Sequence, residues 1–175
     1  MPVPVAPSSL VLSGSTTTQV IPSDAPGESP ITVTLTRSAA TPVLQVSAGH
    51  ATTNTAATVY QSAWSISFQS ALWGVPWTET QKGLYYFNGS LVWQNSRGLG
   101  YDTGGFHRCG YSSGFGFSID VQSCYKVGGD PTSGSLEFGD QFKVSFIVSG
   151  FPVSATHDMA VCAYPSGALP TCAWS

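Results

Sequence analysis

The pentapeptide Gly110-Tyr111-Ser112-Ser113-Gly114 matches G-x-S-x-G, the turn that presents a nucleophilic serine in many hydrolases. Asp140 and His157 follow in the chain order of such a triad. The motif needs a strand before it and a helix after it. The residues that follow Ser112 alternate as a strand instead, so a small serine hydrolase on Ser112 is a second alternative and the chain reads as a non-enzyme. His107 and Cys109 are two apart, which puts them on one side of a strand, with Asp102 nearby. Zinc takes four ligands and a second spaced pair is missing, so no metal and no cofactor are expected. Glu79, Asp120, Glu137 and Asp140 are the candidates for paired-carboxylate chemistry, which needs two acids facing across a cleft. Nothing in the spacing brings two of them together, and they read as solvated surface acids. Asp130-Pro131-Thr132-Ser133 reads as a turn rather than a calcium loop, and His50, and His157 beside Asp158, as surface positions.

The aromatic residues carry the binding hypothesis. They make up 12% of the chain, and Trp73, Trp77, Tyr85, Trp93, Tyr101, Phe106 and Tyr111 fall together beside glycine-rich loops. Flat rings near Asn, Gln and Asp groups suit stacking on sugars, so Trp73, Trp77, Tyr85, Trp93 and Tyr101 are the candidate ligand surface, with a polysaccharide as partner. The competing role is a large aromatic core, because buried rings dominate core energetics.

The elements that must position these residues are strands. Ile31, Val33 and Leu35 alternate with three threonines. Short apolar runs recur at Val43–Val46, Trp64–Phe68, Phe115–Val121, Phe142–Val148 and Met159–Ala163. Asn88-Gly89 between Leu84–Phe87 and Leu91–Trp93 predicts a two-residue hairpin turn, which sets Tyr86 against Leu91 and Tyr85 against Val92. Val127–Ser135 is a turn cluster, and no helical stripe of useful length is present. Roughly eight to eleven short strands predict an all-β fold, an antiparallel β-sandwich of Ig-like or jelly-roll-like kind, with a small β-barrel as the alternative. Residues 1–30 read as an extended Pro-rich arm or edge strand, and 31–175 as a single sandwich domain.

Cys109, Cys124, Cys162 and Cys172 are an even set with no CxxC pair. Of three possible connectivities the local pairs Cys109–Cys124 and Cys162–Cys172 are favoured, because each closes a short turn-rich loop. Disulfides point to an oxidising compartment. Only 9% of residues are charged, with a net charge of −3 and no basic cluster, which excludes nucleic acid as a partner. No apolar run is long enough for a transmembrane helix.

Tyr85-Tyr86-x-Asn88-Gly89 leading to Val92-Trp93, His107-x-Cys109, and Phe117-Ser118-Ile119 leading to Cys124 resemble small secreted actinobacterial proteins of unknown function, over residues 78–160. The resemblance implies export and brings no activity. The expected function is that of a secreted, non-enzymatic surface, assembly or binding module. The Thr-rich strand 31–36 and the Pro-rich arm suggest self-association by strand addition, since sheet edges with few lysines invite pairing.

Overall fold

The computed structural model describes residues 9–43, 58–95 and 104–174. It is all-β, 63% strand with no helix among the described residues, and its two antiparallel sheets are not closed into a barrel. The sandwich expectation holds and the barrel alternative does not. Among the described residues no helix is long and apolar enough to cross a membrane.

The first sheet runs β1 (Ser15–Ile21), β2 (Ile31–Arg37), β4 (Tyr60–Leu72), β5 (Val75–Phe87). The short β3 (Thr41–Pro42) also pairs with β4. Three short strands line the far side of β5 in turn: β8 (Ser113–Gly114) at Trp77–Thr78, β7 (Phe106–Arg108) at Lys82–Leu84 and β6 (Val92–Trp93) at Tyr86–Phe87. The second sheet is ordered β12 (Thr171–Trp174), β11 (Phe151–Ala163), β10 (Leu136–Val148), β9 (Ser118–Val127).

Period-two patterning decides which side of each strand goes inside. Ile31, Val33 and Leu35 of β2, Trp64, Ile66 and Phe68 of β4, and Phe138, Phe142 and Val144 of β10 all face the interior and are buried. Ring pairs tie the layers: Trp64 lies 5.4 Å from Phe138, and Phe142 sits 5.7 Å from Trp77 and 6.2 Å from Phe68, the last two edge-on. These pairings advance together along β4 and β10. The β4–β5 turn at Trp73-Gly74 and the β10–β11 turn at Ser149-Gly150 therefore lie at one end of the sandwich.

Three details differ from the sequence reading. Strand 31–36 is not an edge, because β2 is paired on both sides and β1 takes the outside position. The hairpin turn centres one residue later, which shifts the register so that Tyr86 faces Trp93 and Phe87 faces Val92. Asn88 causes the shift: its Oδ1 accepts the N–H groups of Ser90 (3.0 Å) and Leu91 (2.8 Å), so it opens the turn and leaves the positive φ to Gly89. The strand expected at Phe115–Val121 begins only at Ser118. The preceding residues cross from β8 in the first sheet to β9 in the second, and Phe115 is left outside. Most of the run expected at Val43–Val46 lies outside the described residues.

Both faces of the β5–β6 ribbon are covered. Tyr85, Phe87 and Val92 join the main core, while Tyr86 and Trp93 form a second cluster with Val59, flanked by Val43, Leu84 and Leu91.

Candidate functional site

Alternation along β5 places Trp77, Glu79, Gln81 and Tyr85 inside, and alternation along β10 places Phe138, Asp140 and Phe142 inside. The two acids of these series are fully buried. Glu79 Oε1 accepts the Gly110 N–H at 2.8 Å, while Glu79 Oε2 and both Asp140 oxygens have no donor. Two ionised carboxylates have no hydrogen to offer each other, so keeping the Asp140 carboxyl protonated supplies the missing donor. Burial first, then the charge and hydrogen bonding of Glu79 and the charge of Asp158, push the Asp140 carboxyl up to about 8, with the Gly110 N–H pulling the other way. These two are therefore not the solvated surface acids that their isolation in the sequence suggested. Glycoside hydrolysis needs room for a sugar between its acids, at separations of about 5 Å or more. Here both carboxyls are fully buried in the core.

A second polar contact closes the end of this seam. The Ser23 hydroxyl donates to Glu28 Oε2 at 2.5 Å, and Glu28 Oε1 lies 3.1 Å from His157 Nε2. His157 stacks on Trp77 with ring centres 5.2 Å apart and is buried rather than on the surface. The carboxylate sits between hydroxyl and imidazole, the reverse of the order that activates a serine. His157 also lines a groove of about 480 Å³ with Ile21, Pro22, Ser23, Asp24, Ala25, Ile31 and Thr156.

His107 faces inward from β7, its Nε2 2.6 Å from Gln81 Oε1 and 3.4 Å from Cys109 Sγ. Gln81 in turn donates to the Met159 carbonyl at 2.8 Å. Burial lowers His107 to about 4, so its imidazole is neutral at ordinary pH. Cys109 is bonded to Cys124, and Cys162 to Cys172, with Cα separations of 5.9 and 5.8 Å. The favoured local pairing is the one present, and it fits an oxidising environment. Both thiol-bearing groupings near a metal-ligating side chain, His107 with Cys109 and Cys124 and Glu137 with Cys162 and Cys172, have their sulfurs committed to each other. Asp102 and His50 lie outside the described residues.

Ser112 is exposed, strand β8 follows it directly, and its groove is lined by Ser113, Gly114, Phe117 and Ile119, none of which is a base. His157 and Asp140 face the interior. Asp130, the proposed turn residue, is fully engaged: its carboxylate accepts the N–H groups of Gln94 and Asn95 and pairs with Lys126 at 2.7 Å.

The aromatic candidates separate. Trp77, Tyr85 and Trp93 are core residues, because each points inward or into the second cluster, and none offers a face to solvent. Tyr101 lies outside the described residues. Phe106 is half-buried with the Arg108 guanidinium 5.5 Å from its ring centre. Trp73 is 55% exposed and Tyr111 38%, with Lys82 Nζ 3.7 Å above the Tyr111 ring. Tyr111 bonds the chain at Thr80, five residues along β5 from its first residue Val75 and so roughly 17 Å from that start at strand rise. No two of the expected five are brought together on one described exposed face.

The edges of the sheets are the other places where chemistry is left open. All residues of β1 from Ser15 to Val20 are exposed, and among the described residues its backbone is paired only with β2. Thr16 and Thr18 stand opposite Thr36 and Thr34, their hydroxyls 3.4 Å apart. The strand carries no charge and no proline. The fold and these features define a disulfide-braced β-sandwich. No family model, no curated protein and no solved structure matches the chain.

Proposed function

We propose that this protein is a non-enzymatic, extracellular β-sandwich that assembles with a second copy of itself through the free edge of β1. The observation that carries this reading is the strand Ser15–Ile21, seven residues long, uncharged, regular in register and, among the described residues, open on its outer side. Natural sheets blunt their edges with charges, bulges or short strands. The other edges here follow that rule. β9 carries Asp120 and Lys126 and is interrupted by a register shift opposite Gln141/Phe142. β12 has four residues and a shift of its own, and β6, β7 and β8 have two or three residues each. β1 lacks each of these devices.

Pairing β1 with β1 of a second copy about a two-fold axis joins two sheets and uses the same surface twice, so it closes as a dimer. A low share of charged residues and two disulfides suit work outside the cell. Sedimentation equilibrium over a wide concentration range tests the proposal. A dimer is expected, weakened at least tenfold by Thr18→Lys, which adds charge to an exposed position without touching the core. A strict monomer up to millimolar concentration overturns it.

A polysaccharide partner is the second reading, favoured by the exposed rings of Trp73 and Tyr111. Retention on insoluble polysaccharides, lost in Trp73→Ala or Tyr111→Ala, supports it. Failure to bind any glycan removes it.

A further inference from the structure

One end of the sandwich is capped by large apolar side chains instead of polar loops. Trp73 at the β4–β5 turn is 55% exposed, Phe115 in the crossing from β8 to β9 is 94%, and Phe151 at the start of β11 is 74%. Ile147, opposite Pro152 near the β10–β11 turn, is 70% exposed. Register puts all of them at the same end. Trp77, four residues past Trp73, faces Gly114, and Ser118 faces Ser145, four residues before Ser149, so the segment holding Phe115 crosses between the sheets near this end. Phe117 confirms the level by meeting Phe146 edge-on, with ring centres 5.2 Å apart.

The backbone at each position makes a protrusion. Trp73, Phe115 and Phe151 each adjoin a glycine of positive φ (Gly74, Gly116 and Gly150), and a Cβ added at any of the three would meet nothing within 4 Å. The backbone at these three positions stands out into open space, so their side chains project separately. The β1–β2 connection joins this end through the Glu28–Leu72 bridge. None of the four connections here (residues 22–30, 73–74, 110–117 and 149–150) contains a lysine or arginine, and Asp24 is the one exposed acid among them.

We propose that this end seats in the interfacial layer of an uncharged or zwitterionic lipid membrane. Aromatic rings favour the headgroup boundary, where an apolar body and a wet surrounding coexist. With ordinary side-chain areas the four residues expose roughly 600 Å². A stable protein interface takes about 800 Å² per partner and matched shape. Separate projecting side chains supply less area than that, whereas a fluid interface needs no matching surface. Absence of basic side chains points away from anionic lipid, which recruits lysine and arginine. Val43, Asn95 and Gly104, which border the undescribed segments 44–57 and 96–103, lie at the other end, where β4 begins opposite the end of β5.

The test is co-sedimentation of the full chain with phosphatidylcholine vesicles, at low and high salt. Binding independent of salt is expected, and Phe115→Ser with Phe151→Ser should lower partitioning at least tenfold, while Val20→Ser on β1 leaves it unchanged. A blue shift of tryptophan emission on binding should vanish in Trp73→Phe. No vesicle binding overturns the proposal, as does binding that the double substitution leaves intact, or binding that appears only with anionic vesicles and is lost in salt. A glycan or second copy whose binding is lost in the same double variant, without vesicle binding, assigns the surface to that partner and overturns it equally.

Discussion

Replacing Asp140 with asparagine tests the buried carboxyl pair. The carboxyl ionises at about 8 in the folded protein against an ordinary 3.8. Between those values the folded state holds a proton that the unfolded chain releases, so this group's contribution to stability falls as pH rises from about 4 to about 8. His107 works against it. Its value drops from 6.5 to about 4 on folding, so the unfolded chain binds the extra proton there and stability rises with pH between 4 and 6.5. The two slopes cancel below pH 6.5 and leave Asp140 alone above it. Over the remaining window of about 1.5 pH units the loss is about 2 kcal/mol at 1.36 kcal/mol per unit. In guanidinium chloride that is a drop of about 0.5 M in midpoint for a chain of this size. The amide introduced by Asp140→Asn is neutral at every pH and supplies N–H donors at the position where the parent's carboxyl oxygens have no partner. Equilibrium unfolding under non-reducing conditions from pH 6.5 to 8.5 reads the effect. The parent midpoint should fall and the Asp140→Asn midpoint should stay level. A level parent, or an equal fall in both proteins, refutes the retained proton.

His107→Gln should remove the compensating slope, so that the parent's level stretch between pH 4 and 6.5 becomes a fall and stability declines steadily from pH 4 to 8, as followed by the same unfolding midpoints. Converting both Cys162 and Cys172 to serine should cost about 3 kcal/mol by chain entropy for a separation of 10 residues, measured by denaturant unfolding. Trp77→Ala should destabilise by about 3–5 kcal/mol, because the ring is fully buried against Phe142 and His157, whereas exposed Trp73→Ala should change unfolding free energy by less than about 0.5 kcal/mol.

Period-two patterning made the inward faces of β2, β4 and β10 readable, since Ile31, Trp64 and Phe142 each open or continue an alternating run. Short loops made both disulfides readable. The same alternation contained Glu79 and Asp140, each two residues from a buried aromatic, but the cost of burying charge argued against placing them inside. A retained proton removes much of that cost, and pairing across sheets is invisible from either strand alone. Asn88 misplaced the hairpin by one residue because its side chain can either adopt a turn conformation or cap one. The threonine face of β2 looks the same whether or not a neighbour covers the strand's edge, so β1 rather than β2 proved to be outside. Exposure of Phe115 and Phe151 depends on where the opposite sheet stops, which no local pattern records.

Hydrogen exchange at the backbone amides of residues 15–21, followed as protein concentration is raised, tests the proposed β1 contact most directly. Protection confined to β1 should grow with concentration, while the amides of the β9 edge exchange at an unchanged rate. Exchange on β1 that ignores concentration would contradict assembly through this strand.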